Sequence, residues 1–91
     1  MKYEWDENKN KHNIEKHGLD FRDAILVFDS PMLIAEDARN DYYETRLSGI
    51  GIVNNIFVVV IFTENDEKEF RRIISFRKAT KSEREFYENS I

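Results

Sequence analysis

The stretch IVNNIFVVVIF, residues 52–62, decides the fold. Seven apolar residues run unbroken from Ile56 to Phe62, β-branched and aromatic, apolar on both faces of an extended chain. Such a run predicts a strand at the centre of a sheet. Asn54-Asn55 before it tolerates left-handed backbone and predicts a turn. Residues 42–53 then read as the preceding strand, in which Gly49 and Gly51 mark a bulge or a close backbone approach. On the other side, residues 64–68 read as a polar loop and residues 70–76 as the last strand.

Outward from this centre the pattern changes. Thr80 with Glu83 forms a capping box for a final helix reaching about residue 89. Toward the N-terminus, residues 1–5 alternate as a short strand, and Asp6 caps a helix that Gly18 stops. That helix is nearly polar all round, with Ile14 its only large apolar residue, so core packing alone does not explain it. Lys9, Asn13, Lys16 and His17 share one of its faces. Asp20, with Asp23 three residues on, opens a second helix, and Phe21, Ala24, Ile25, Val27 and Phe28 supply its stripe before Ser30-Pro31 ends it. Residues 32–35 read as a short strand and 36–41 as a charged turn. The order β-α-α-β-β-β-β-α predicts one α+β domain over residues 1–91, with a mainly antiparallel sheet and helices packed on it.

Composition narrows the function. The chain has 91 residues and no cysteine, which excludes disulfides and thiolate sites. Its charged opening, MKYEWDENKN, is unlike a signal peptide, and a seven-residue apolar run cannot span a bilayer. A cytoplasmic protein with no membrane partner is expected. The net charge of −4 argues on its face against nucleic acid. The charge is segregated, however. Residues 68–84 hold seven basic and two acidic residues, a net +5, leaving −9 for the remainder. A dipolar chain of this kind can meet an anion with one face and a basic partner with another.

Few residues are arranged for metal or cofactor chemistry. His12 and His17 are five apart, about 140° around a helix, and do not share a face. No metal site and no phosphate-binding glycine loop is expected. What remains is a set of cations: Lys9, Lys16 and His17 on the first helix, Arg46 two residues after Glu44 on a strand, and Arg71, Arg72 and Arg77 along the last strand. Arginine forks match phosphate oxygens and neutralise a pentacoordinate transition state, and RNA carries its own nucleophile in the 2′-hydroxyl. Structural alternatives stand beside these readings. Lys9 and Lys16 also suit a solvated helix face, His17 a helix C-cap, Glu44 and Arg46 an exposed ion pair, and Arg77 a strand-end charge. Arg72 and Arg77 are five apart, so a regular strand puts them on opposite faces; a bulge, or an end to the strand before Arg77, is needed to unite them.

The motifs resemble a known family. WDENKNKHNIEKHGLDF, residues 5–21, is similar to the N-terminal signature of the BrnT toxins, carried by Trp5, Asp6, Lys9, Asn13, Lys16, His17, Gly18 and Phe21. The pair Glu44 and Arg46 followed by Gly49, and RRIISFRKATKSEREFY over residues 71–87, resemble the family as well. Phe76 departs from it, standing where the family has a small residue before the arginine. The resemblance implies a RelE-like fold and a toxin ribonuclease of a type II toxin–antitoxin pair. Its partners would be substrate RNA and a BrnA-like antitoxin, with operator DNA reached only through the antitoxin. By the same resemblance Lys9, His17, Glu44, Arg46 and Arg77 are the expected catalytic residues. Lys16, Arg72 and Lys78 are expected to bind RNA. Metal and cofactor are not expected. In this reading Glu44 or His17 accepts the 2′-hydroxyl proton, while Arg46, Arg77 and Lys9 hold the scissile phosphate. A catalytically inactive module that only docks an antitoxin is the main alternative, and an RNA- or DNA-binding adaptor without chemistry is another.

Overall fold

A computed structural model describes residues 1–37 and 45–91. Most of the expected charged turn, and the first part of the strand expected from residue 42, Glu44 included, lie outside the described residues. The elements are β1 (Lys2–Glu4), α1 (Glu7–His17), α2 (Phe21–Ala24), β2 (Leu33–Glu36), β3 (Leu47–Val53), β4 (Ile56–Asn65), β5 (Phe70–Lys78) and α3 (Lys81–Ser90). The expected α+β order is therefore observed. The second helix is shorter than its apolar stripe suggests. It tightens into a 3₁₀ segment over Ile25–Asp29, which Ser30 closes by donating its backbone N–H and its hydroxyl to the Val27 carbonyl.

The sheet order is β1-β5-β4-β3-β2, with β4 at its centre as the apolar run requires. All pairings are antiparallel except β1 with β5. Asn54 and Asn55 both adopt positive φ and join β3 to β4 by a two-residue hairpin. One face of the sheet carries Val58, Val60, Phe62, Ile73 and Phe76, which pack with Phe21, Ala24 and Val27 into the main core. Burying each of these larger side chains contributes about 1.5–3 kcal/mol. Gly49 and Gly51 lie on this face, and close approach rather than a bulge explains them. A Cβ at Gly51 would stand 2.7 Å from Val27 Cγ1, and one at Gly49 would collide with Met32 Cε. Val59 and Ile61 are buried on the opposite face. On α3, Tyr87 sets its ring edge-on to Phe57 and donates its hydroxyl to the Pro31 carbonyl at 2.9 Å.

The β4–β5 ladder holds a bulge. Ile61 pairs with Ser75 and Phe62 with Ile73, so Ile74 is an extra residue on β5. The parity of β5 changes there. Arg72 opposes Thr63, Ser75 opposes Ile61 and Arg77 opposes Val59, three alternate positions of β4, so all three lie on one face. The fully buried Phe76 points to the core, so this departure from the family pattern leaves Arg77 on the same face as Arg72. Arg71 points the other way. It bonds Glu64 at 2.7 Å and the Tyr3 hydroxyl at 2.9 Å and stacks over Phe28, which makes it a packing cation rather than a member of the row.

The polar helix α1 is held by amides, not by apolar contact. Ile14 is 40% exposed, whereas Asn10 and Asn13 are buried. Asn10 accepts from the Phe21 N–H at 2.9 Å and donates to Asp20 at 3.0 Å. Asn13 donates to the carbonyls of Phe76 (2.7 Å) and Leu19 (2.9 Å) and accepts from the Phe76 N–H at 3.2 Å. Since β1 pairs only with Phe70–Arg72, the edge of β5 at Phe76 has Asn13 where a neighbouring strand would be. Asn13→Ala strands three backbone groups and is expected to lower stability by about 2–4 kcal/mol in urea unfolding. Lys11→Ala on the same helix should stay within about 0.5 kcal/mol. Equal shifts for the two variants would show that the amide does not hold α1.

Candidate active site

Because α1 lies against the edge of β5 rather than flat on the sheet, a groove runs between them. Two cavities lie along it. The first, about 330 Å³, is bordered by Lys9, Arg46 and Arg72, with Glu4, Thr63 and Phe70. The second, about 240 Å³, is bordered by Lys9, His12, Lys16, His17 and Ser75. Lys9 and Ile74 border both, so the cavities adjoin at the bulge. The structure thus brings Lys9, Lys16, His17, Arg46 and Arg72 to one groove. It places Lys78 elsewhere, in a separate depression beside Asn55 and Arg84, because Lys78 opposes Val58 and follows the core-face parity. His12 and His17 lie 140° apart on the helix, as expected, and yet both border the second cavity, at the two margins of the helix face that lines it.

Arg77 borders neither of these two cavities and is tied to α3. Its guanidinium grips Glu83 with two bonds, at 2.7 and 2.9 Å. Glu83 also accepts from the Thr80 N–H, while the Thr80 hydroxyl accepts from the Glu83 N–H, so one carboxylate closes the capping box and orients the arginine. The Arg77 guanidinium, followed by the Thr80 N–H, holds the Glu83 carboxyl down to about 2. Arg72 meets Glu4 at 3.2 Å in a more open pair, 42% and 52% exposed.

His17 feels this field. Burial first, then the positive charges of Lys16 and Arg77, lower its imidazole below the usual histidine value. The shift favours the neutral ring, the form able to accept a proton, beside cations suited to a phosphate. This weakens the alternative of a protonated imidazole serving as the helix C-cap. Instead Gly18, in left-handed conformation, closes α1 by donating its N–H to the Ile14 carbonyl. Among the described residues, no group of three or more His, Cys, Asp or Glu side chains converges.

Several groove residues escape a reading of the sequence. Thr63 and Ser75 sit inside apolar strands and gain meaning only from the register. Glu4 is one of many surface acids until β1 pairs with β5. Glu83 is legible as a cap but not as the partner of Arg77. His12 is legible only once the helix is docked.

The Arg77–Glu83 pair has a pH signature. The folded carboxyl lies at about 2 against an ordinary 4.5. Its stabilisation is complete above pH 4.5 and is lost as the pH falls toward 2. After allowance for solvent screening it is worth about 1–2 kcal/mol. Glu83→Gln, which preserves the cap, should be less stable than the parent by that amount at pH 6 and equal to it near pH 2. A constant difference across that range in urea titrations would count against the pair.

No curated protein sequence matches the chain. The family model described as "Ribonuclease toxin, BrnT, of type II toxin-antitoxin system" matches residues 5–83, a span that contains Lys9, Lys16, His17, Arg46 and Arg72 of the groove and the Arg77–Glu83 pair. The chain belongs to the BrnT family of ribonuclease toxins of type II toxin–antitoxin systems.

Proposed function

We propose that this single-domain chain is a cytoplasmic, metal-independent endoribonuclease that cleaves RNA by attack of a 2′-hydroxyl on the adjacent phosphodiester. The observation that carries the proposal is the groove itself: the His17 imidazole stands in a channel bordered by Lys9, Lys16, Arg46 and Arg72. His17 accepts the proton of the 2′-hydroxyl as its oxygen bonds to phosphorus. Lys9, Arg46 and Arg77 neutralise the charge of the phosphorane. The bond from phosphorus to the 5′-oxygen then breaks, and that oxygen takes a proton from water in the open groove. The products are a 2′,3′-cyclic phosphate and a 5′-hydroxyl. Glu44 is the alternative proton acceptor proposed from the sequence. Arg72 and Lys16 bind flanking RNA, and Lys78 extends that contact beyond the groove.

A BrnA-like antitoxin neutralises the toxin in this reading and carries the pair to operator DNA, as the family's type II character supports. One observation favours the competing reading of an inactive, antitoxin-docking module. Arg77 is already gripped by Glu83, so a phosphate must share it or displace the carboxylate.

Purified protein incubated with RNA in EDTA is expected to give ends bearing a 2′,3′-cyclic phosphate; a strict need for Mg²⁺ would overturn the mechanism. His17→Ala should slow cleavage by about 10²–10⁴-fold. The parent's rate should fall as the pH drops through an apparent pKa below the ordinary 6.5. Arg77→Ala should abolish growth arrest on expression while antitoxin binding survives. No arrest from the intact chain would favour the inactive module.

A further inference from the structure

We infer that the groove binds an extended single strand of RNA across two consecutive phosphates. The non-reacting phosphate lies at Arg72 in the first cavity, the reacting phosphate at Lys16 and His17 in the second with Arg77 on its far side, and Lys9 and Arg46 lie between the two. This deepens the function proposed above and rests on it, but it concerns how substrate is held rather than whether it is cut.

The spacing supports it. The Ile74 bulge lines up Arg72, Ser75 and Arg77 opposite Thr63, Ile61 and Val59, each two β4 residues apart. Arg72, which borders the first cavity, and Ser75, which borders the second, are therefore one step of about 7 Å apart, with Arg77 one step beyond. On the facing wall, Lys9 to His17 spans eight residues of helix, about 12 Å. The step from Arg72 to Ser75, and so from the first cavity to the second, is comparable to that between successive phosphates of an extended strand, and Lys9 on the facing wall borders both cavities.

The two ends differ in chemistry. The first cavity is bordered by Lys9, Arg46 and Arg72 and by one carboxylate, Glu4, which Arg72 engages. The second cavity holds the imidazoles. A phosphate held at Arg72, away from the imidazoles, is therefore bound and not cleaved. Glu4 occupies Arg72 through an exposed pair, a contact weak enough for a phosphate to replace.

The inference is tested with 2′-deoxy strands, which bind but cannot undergo 2′-hydroxyl attack. A trinucleoside diphosphate should bind the intact protein roughly tenfold more tightly than the dinucleoside monophosphate, one charge-assisted contact's worth. Arg72→Ala should cut that gain to under about threefold. Lys11→Ala, which removes a charge from the same helix outside both cavities, should keep it. Glu4→Gln should enlarge it by freeing Arg72. Equal affinity for the two strands in the intact protein, or equal weakening of both by Arg72→Ala, would overturn the two-phosphate register. If the gain behaves as expected while the corresponding ribonucleotide strands stay uncut, the register stands and the nuclease reading fails.

Discussion

The hydrogen bonds between the Asn13 amide and the backbone of Phe76 set the geometry on which the rest of the site depends. β5 has β4 along one edge, but β1 covers only Phe70–Arg72 on the other. Past that point, an edge polar group buried without a partner would be costly. Asn13 supplies a donor and an acceptor to the same residue, as a neighbouring strand would. The helix is thereby fixed beside the sheet edge instead of flat on its face. Its docking uses two asparagines and little apolar surface, which leaves the adjoining helical face free to carry Lys9, Lys16 and both histidines.

The bulge at Ile74 is the second constraint. A regular strand would send Arg72 and Arg77 to opposite faces; one extra residue reunites them and puts Ser75 between. The same geometry sorts neighbours. Arg71, next to Arg72, goes to the core side and stacks on Phe28. Net charge is a poor guide to a protein built this way. The −4 total includes Glu4 and Glu83, which pair with Arg72 and Arg77. Phosphate recognition depends on where the guanidinium groups stand, not on the bulk charge.

Much of this was legible in the residues. The 56–62 run, the Asn54-Asn55 turn and the Thr80–Glu83 box each encode their structure locally, and the order of elements follows from them. The glycines of β3 signalled a bulge or a close approach, and Met32 and Val27 provide the approach. Other features resisted. Ile25–Asp29 has a helical stripe but winds as a 3₁₀ turn, closed by a serine that bonds back to Val27. Lys78 looked like an extension of the basic segment, yet its register turns it away from Arg77. The helix face around Lys9 was visible as a cationic stripe, but what it faces was not.

The sequence by itself determined the types and order of the elements, the residues fit to meet a phosphate, and the need for a bulge or an end to the strand if Arg72 and Arg77 were to act together. These follow from periodicity, capping and side-chain chemistry, which are local. Only the tertiary structure decided that the bulge falls at Ile74, that Asn13 docks α1 at the open edge of β5, and that Glu83 reaches back to Arg77. Those depend on register and on hydrogen bonds between residues as far apart as Asn13 and Phe76. Contacts of that range are settled by the packing of the whole core, because no local pattern says which strand edge will be left open.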